Sequence, residues 1–573
     1  MFDFIQIFSK SDKFNLLLLL ILFVVSGIIE VIGIASVAPF IALLTKPEFV
    51  VDNYIYIKLV NIFNLSTVDA TIVVGVLVII LFAASNIIAG YTLWKTVQFT
   101  ASQQHKISMT VIKKYLYQPY NFYLKNNASL ISKNILHETG VICDLVILPA
   151  LQFISKSIII LSVSVFLLFV NYQIFITTVL ILGLIYILIY SNIRSTIEDY
   201  GKTKITMNKR KYKYVNDAFS DIKNVKFYSA EESFLKLLDN PTKQFSFLTA
   251  KTTLLSILPR YILEVIAFGG IFSVLIYFLS KNYNILEQSP IIGVFIIAAY
   301  RILPLLQHIY QNFTIFKFNS PVTKIIKDIY MLSEIKIHKY NDIQFNKNII
   351  LKNISFSYNN NIILKNINLT IRKSNTIALI GESGQGKTTL IDILLGFHSN
   401  YKGEIILDDK VLKTKDILNL RKIIGYVSQD MNLTNITLKE NIAFGEKIKD
   451  IDIKNLNQVI AISELDDFVN TLDNNTDTLL SERGMNISGG QKQRILIARA
   501  LYRKPKILIL DESTNALNEE LEYKIINNIK NNFPEITIIL ITHRQSLLNF
   551  CDNVLELSDI GIEDNINNFR KNI

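Results

Sequence analysis

The chain has 573 residues, too many for one ordinary core, so two or more domains are expected. Half of the residues are hydrophobic and only 19 % are charged, with the apolar share concentrated before about Tyr310, which excludes a wholly soluble protein. The formal charge of +11 comes without a basic stripe interleaved with aromatics, so no nucleic-acid partner is expected, and lysine-rich cytoplasmic loops account for the excess.

Lys10 and Lys13 precede an apolar run from Phe14 to Leu44, and Ser36-Val37-Ala38 has the small residues of a signal-peptidase site. The run far exceeds the roughly 7–15 residues of a signal-peptide core, so it reads as a retained membrane helix. Because a span needs about 20 apolar residues, the sequence predicts about six: Phe14–Leu44, Thr71–Trp94, Val141–Val170, Tyr172–Tyr190, Thr253–Leu279 and Pro290–Tyr310. The third and fourth are separated only near Asn171, which predicts a tight outer hairpin.

Between Gln98 and Gly140 stand Lys106, Lys113, Lys114, Lys125 and Lys133 against the single acid Glu138, and Ser191–Thr252 is also basic. Both segments and the N-terminus are therefore assigned to the cytoplasm, and the charge-balanced loop Thr45–Ala70 to the outside. The inner segments lack Pro/Gly punctuation, which favours helical extensions with tips near Tyr120–Leu124 and Asn224–Tyr228 as docking points. Glu30, Asp144, Lys156, Arg260, Glu264 and Arg301 lie in or at the edge of apolar runs, where charge usually faces a cavity or a partner. Arg260 and Glu264 are spaced for an i,i+4 ion pair as well as for substrate contact, whereas Arg301 has no local carboxylate.

After about Ser333 the pattern changes to short apolar strands, among them Ile349-Ile350-Leu351 and Ile377-Ala378-Leu379-Ile380. Gly381-Glu382-Ser383-Gly384-Gln385-Gly386-Lys387-Thr388 follows the second strand, precedes a helix at Leu390–Leu395 and matches the G-x-x-x-x-G-K-[ST] phosphate loop. Its glycines let backbone N–H groups close around phosphate oxygens, Lys387 reaches the β- and γ-phosphates, and Thr388 suits Mg²⁺. Thr389 extends the phosphate-facing set. A further strand, Ile507–Leu510, ends in Asp511-Glu512, which suits a Mg²⁺ ligand followed by a base that orients the attacking water. ATP and Mg²⁺ are the cofactors expected. The two cysteines, Cys143 and Cys551, offer neither a disulfide framework nor a metal spacing.

Ile487-Ser488-Gly489-Gly490-Gln491-Lys492-Gln493-Arg494, opening a helix at Ile495–Leu501, resembles the signature of the ATP-binding-cassette (ABC) transporters. The resemblance covers the whole chain. It implies an all-α transmembrane domain over residues 1–333 followed by an α/β P-loop NTPase over 334–573, with ATP hydrolysis coupled to transport. On the same resemblance Tyr358 would stack on adenine, Gln429 would join the Mg²⁺ and γ-phosphate site to the membrane domain, and His543 would contact the γ-phosphate. Ser488, Gly490 and Gln491 would complete the ATP site of a second copy, so a homodimer is implied. Asn515-Ala516-Leu517-Asn518 resembles the loop after the catalytic Glu, with Asn518 in place of the usual acid. Glu482-Arg483-Gly484 resembles an exporter element.

Pro259-Arg260-Tyr261-Ile262-Leu263-Glu264 and Tyr300-Arg301-Ile302-Leu303-Pro304 resemble bacterial lipid-linked oligosaccharide flippases of the PglK type. That implies a polyprenyl-pyrophosphate glycan as cargo, Arg260 and Arg301 as its readers, membrane lipids as partners and the bacterial inner membrane as location. The external segment Glu48–Leu65 resembles the short helix by which that group engages the lipid tail, and a basic position of its second membrane helix is Ser85-Asn86 here. A peptide or multidrug exporter, and an ABC ATPase acting as a gate without pumping, are the alternatives.

Overall fold

The computed structural model describes residues 3–45, 67–262, 264–265, 269, 272, 276, 285–334, 343–358, 361–382, 384–428, 431–480, 487–512, 517–542, 544–558 and 561–564. Glu48–Leu65, Ser383, Gln429, Glu482–Gly484, Asn515, Ala516 and His543 lie outside these residues. The chain divides into two compact units, one of Met1–Gln118 and Phe122–Ile335, the other of Pro119–Asn121 and Lys336–Ile573.

The first unit is helical. Helix α1 (Lys10–Ala35) starts at a capping box in which the Ser9 side chain accepts from Asp12 N and the Asp12 carboxylate accepts from Ser9 N. The other Asp12 oxygen accepts from Gln103 Nε2 at 2.8 Å and Lys106 Nζ at 2.5 Å, which ties the start of α1 to a distant helix. After α2 (Val37–Thr45) comes α3 (Thr67–Leu116), whose 50 residues rise about 75 Å, more than twice the apolar thickness of a bilayer. Asn171 takes an extended conformation between α4 (Leu148–Val170) and the 49-residue α5 (Tyr172–Ser220). Helices α6 (Glu231–Ile257), α7 (Ile285–Asn319) and α8 (Pro321–Tyr330) complete the main elements.

By length and composition four described stretches can cross a membrane: Lys10–Leu44, Thr71–Leu116, Ala128–Val170 and Gly293–Asn319. Apolar side chains such as Leu17, Ile79, Leu161 and Phe169 are exposed along them, as lipid-facing positions require. Where helices meet, glycine sets the spacing. A Cβ at Gly27 of α1 would lie 2.8 Å from Ser162 Oγ of α4.

The second unit has two sheets. Strands β1 (Asn348–Tyr358), β2 (Asn361–Arg372), β4 (Lys402–Leu407) and β5 (Lys410–Val411) form an antiparallel sheet in the order β2-β1-β4-β5. The larger sheet runs β10-β9-β3-β8-β7-β6 and contains β3 (Thr376–Ile380), β6 (Ile424–Val427), β7 (Ile507–Asp511), β8 (Thr537–Ile541), β9 (Asn553–Ser558) and β10 (Gly561–Asp564). It is parallel except for the β9–β10 pair.

Every residue of β3, β7 and β8 is buried, which explains their unbroken apolar sequences. Ala378, Leu508, Leu510, Ile538 and Leu540 enter one core, while Ile377, Leu379, Ile507, Ile509, Ile539 and Ile541 enter the other. This strict alternation sends successive side chains to the cores on opposite faces of the sheet. The strand expected at Ile349–Leu351 continues to Tyr358, and the two expected helices start earlier, at Lys387 in α9 (Lys387–Leu394) and at Gly489 in α10 (Gly489–Tyr502).

Candidate nucleotide site and the charges of the membrane unit

The loop 381–386 joins the buried end of β3 to α9 through two positions that only glycine fits. Gly381 has φ +142°, and a Cβ there would lie 2.6 Å from both Gln385 Oε1 and the Leu557 carbonyl oxygen. Gly386 has φ +92°, and its Cβ would lie 2.8 Å from Leu364 Cδ2 and 2.9 Å from Ile363 Cγ2. Gly384 also has φ +92° but faces open space. Glu382 N donates to Gln385 Oε1 at 2.7 Å, and Lys387 Nζ donates to the carbonyls of Gly381 and Glu382 at 2.5 and 2.9 Å. Burial holds the Lys387 ammonium below its usual pKa range, opposed by the Glu512 and Asp511 carboxylates.

Those carboxylates stand at the end of β7. Asp511 is buried with the Thr388 side chain beside it, and Tyr426 Oη donates to its Oδ2 at 3.4 Å. Burial and neighbouring Glu512 push the Asp511 carboxyl up. Glu512 has φ +47°, the left-handed region, with its N–H donating to the Ile541 carbonyl at 3.1 Å. A non-glycine residue held there is a local strain of the kind found at reactive sites. The Thr388 hydroxyl and Asp511 carboxylate are adjacent hard oxygen donors, which fits Mg²⁺.

Tyr358 ends β1, and its hydroxyl shares a 2.8 Å hydrogen bond with His398 Nε2, with the Thr389 side chain nearby. His398 is almost completely buried, its ring lies 4.8 Å from that of Phe356, and burial lowers its pKa. Asp392 Oδ2 is 3.8 Å from the same Nε2. Burial and the Asp511 charge push the Asp392 carboxyl up to about 6. Sequence reasoning missed His398, Asp392 and Tyr426, which belong to no motif and reach the site only through the fold.

Ser488 and Gln491 form the capping box of α10: Gln491 N donates to Ser488 Oγ at 3.2 Å, and Ser488 N to Gln491 Oε1 at 2.8 Å. Gly490 is the second residue of that helix. Asn518 caps α11 (Glu519–Asn532) by accepting from Leu521 N at 3.0 Å. Asn and Asp cap helices about equally well, so the replacement noted in the sequence leaves this helix start intact.

In the membrane unit Arg260 Nε and Glu264 Oε1 pair at 2.7 Å, as their spacing predicts. Arg301, which has no local carboxylate, pairs with a distant one, Glu30 of α1, whose Oε1 lies 3.0 Å from Arg301 Nε. The acid is 271 residues away in sequence (301 − 30), beyond any local rule. Ser85 Oγ donates to Glu30 Oε2 at 2.6 Å, and Arg301 Nη2 approaches Asn86 Oδ1 at 3.5 Å.

Residues 16–285 match the family model for the ABC transporter transmembrane region, and residues 364–515 match a second family model, ABC transporter. A putative export ATP-binding/permease protein of Rickettsia typhi is 36 % identical over 243 residues, covering 41 % of this chain and 42 % of that protein. The ATP-dependent lipid A-core flippase of Photobacterium profundum is 33 % identical over 225 residues, 39 % of this chain and 38 % of the flippase. The alignments thus span about two-fifths of those relatives' length. A solved bacterial Atm1-family ABC exporter with ATP bound superposes with a TM-score of 0.75 at 20 % identity, covering 96 % of each chain. The chain thus holds two regions that match ABC transporter models, a transmembrane one followed by a second that contains the phosphate loop, and it shares the fold of that Atm1-family exporter.

Proposed function

We propose that the chain hydrolyses ATP as one half of a homodimeric ABC exporter in the bacterial inner membrane and uses that energy to move an anionic amphiphile. The observation that carries the ATPase reading is the convergence at the ends of β3 and β7: Lys387 lies within electrostatic reach of Asp511 and Glu512, and the Thr388 side chain stands beside Asp511.

Tyr358 stacks on adenine, while Gly381, Glu382, Ser383, Gly384, Gln385, Gly386 and Thr389 frame the phosphates. Lys387 takes the β- and γ-phosphates as a point charge. Mg²⁺ would be held by Thr388, Asp511 and Gln429 and would neutralise phosphate charge. Glu512 orients a water toward the γ-phosphorus, the bond from that phosphorus to the β–γ bridging oxygen breaks, and ADP and phosphate leave. His543 contacts the γ-phosphate. Ser488, Gly490 and Gln491 act on the ATP of the second copy, and their exposed helix start supports that role.

The cargo reading, a polyprenyl-pyrophosphate glycan or similar lipid, draws support from membrane-depth Arg260 and Arg301 and from likeness to a lipid A-core flippase. The ion pairs of both arginines favour a second reading, an exporter of peptides or uncharged amphiphiles. ATPase stimulation in liposomes by polyprenyl-pyrophosphate glycans, peptides and drugs separates them. Stimulation by the glycans alone supports the first reading, and stimulation by uncharged compounds alone removes it.

A further inference from the structure

One exposed face of α3 changes character within a single turn. Val76, Ile80, Ile87, Tyr91 and Trp94 recur at helical spacing along it, all large, apolar or aromatic, and exposed. Beyond Lys95 the same face carries Gln98, Ser102 and His105, exposed and polar. Counted from Thr71, where the membrane-length apolar stretch begins, Trp94 is residue 24 (94 − 71 + 1) and lies about 35 Å along the helix, against a hydrocarbon core of about 30 Å. Lys106, Lys113 and Lys114 follow, and lysine excess marks the cytoplasmic side. Tyr91, Trp94 and Lys95 therefore stand at the inner boundary between lipid and water.

At that boundary the three side chains pack as a unit. The rings of Tyr91 and Trp94 are 5.7 Å apart, and Lys95 Nζ lies 4.6 Å from the Trp94 ring centre and 5.7 Å from that of Tyr91. The ammonium donates to Gln98 Oε1 at 3.2 Å, which leaves it further N–H groups to give. Among the described residues Lys95 has no carboxylate partner, and the Trp94 indole N–H has no hydrogen-bond acceptor. The group that completes this cluster is thus an acceptor with negative charge. An aromatic ring with one polar edge suits the headgroup level, and a lysine stem lies along apolar surface while its charge stays in water. A zwitterionic headgroup brings its own cation to rings that Lys95 already covers, whereas an anionic phospholipid brings only its phosphodiester charge.

We infer that Tyr91, Trp94 and Lys95 form a binding site for an anionic phospholipid of the cytoplasmic leaflet, with Lys95 and the indole N–H on the phosphodiester and the two rings against the upper acyl chains. Lys95 stands nine positions (95 − 86) after Asn86, two and a half turns, so it faces away from the side of α3 that Arg301 approaches. Such a lipid is a resident of the bilayer rather than cargo, and it holds α3 at one depth in the membrane.

Trp94 is the only tryptophan of the chain, so its fluorescence reports this site alone. The full-length protein is placed in phosphatidylcholine bilayers with rising mole fractions of phosphatidylglycerol, one lipid at a time carrying bromine on its acyl chains, either near the headgroup or near the chain end. Shallow bromines should quench Trp94 more than deep ones. Brominated phosphatidylglycerol should reach half-quenching at about one-fifth of the mole fraction that brominated phosphatidylcholine needs, the effect of about one lysine charge at a membrane surface. Lys95→Met should bring that ratio to about one, and Lys95→Arg should keep it. Lys95→Gln takes the place of Lys95→Met if that variant does not fold. Equal quenching by the two lipids in wild type, or a phosphatidylglycerol preference that survives in folded Lys95→Met, overturns the inference. So does stronger quenching by deep bromines, which sets the ring inside the hydrocarbon, and so does an absence of quenching by either lipid, the result if a second copy covers this face.

Discussion

The hydroxyl of Tyr358 and Nε2 of His398 are 2.8 Å apart, so the residue assigned to adenine stacking is held by a buried ring 40 positions later in the chain. A ring fixed in this way loses less freedom on binding a base. His398→Phe removes the bond while keeping a ring, and a hydrogen bond is worth about 1 kcal/mol, so KM for ATP should rise about fivefold with kcat within about twofold of wild type. Steady-state ATPase kinetics check this. A fall in kcat at unchanged KM would assign His398 to the chemical step instead.

Asp392 makes stability depend on pH. An unfolded Asp releases its proton near the ordinary value of 3.8, whereas the folded one, through burial and the Asp511 charge, holds it to about 6. Between these values the folded chain binds more protons, so stability falls as pH rises and the loss is complete above about pH 6. Asp392→Asn should raise the nucleotide-free, Mg²⁺-free melting temperature above that of wild type at pH 7, with the gap closing near pH 4. Parallel melting curves across that range check the sign.

Arg544 and Glu522 form an ion pair in the cassette beside Asn518, whose carbonyl accepts from Glu522 N at 3.0 Å. Glu522 is fully buried, Arg544 Nη1 lies 2.9 Å from its Oε2, and the same nitrogen donates to the Leu517 carbonyl at 3.0 Å. Arg544→Met strands a carboxylate inside the protein, at a cost of about 3–5 kcal/mol. Adding Glu522→Gln should recover part of that loss. Thermal melting of the single and double variants measures the coupling, and equal melting temperatures for both would refute it.

The ATPase half is legible because its chemistry lies in contiguous motifs. Gly381–Thr388 follows a strand whose five residues are all buried, and Asp511-Glu512 ends another, so an apolar run followed by polar residues marks both strand tips. The capping box of Ser488 and Gln491 opens its helix ahead of Ile495–Leu501, the apolar residues by which the sequence marks it. What the sequence hides is contact between distant segments. Glu30 is an isolated acid in an apolar run until α1, α3 and α7 pack, and His398 is one histidine in a polar turn until β1 and α9 bring Tyr358 to it. Helix starts come out earlier than expected because Lys387 is polar, Gly489 has no side chain, and neither carries apolar periodicity.

If Glu512 orients the attacking water, ATPase turnover of Glu512→Gln, measured beside its ATP binding in the purified full-length protein, should fall at least about 100-fold with ATP still bound. Wild-type turnover in that variant would contradict it.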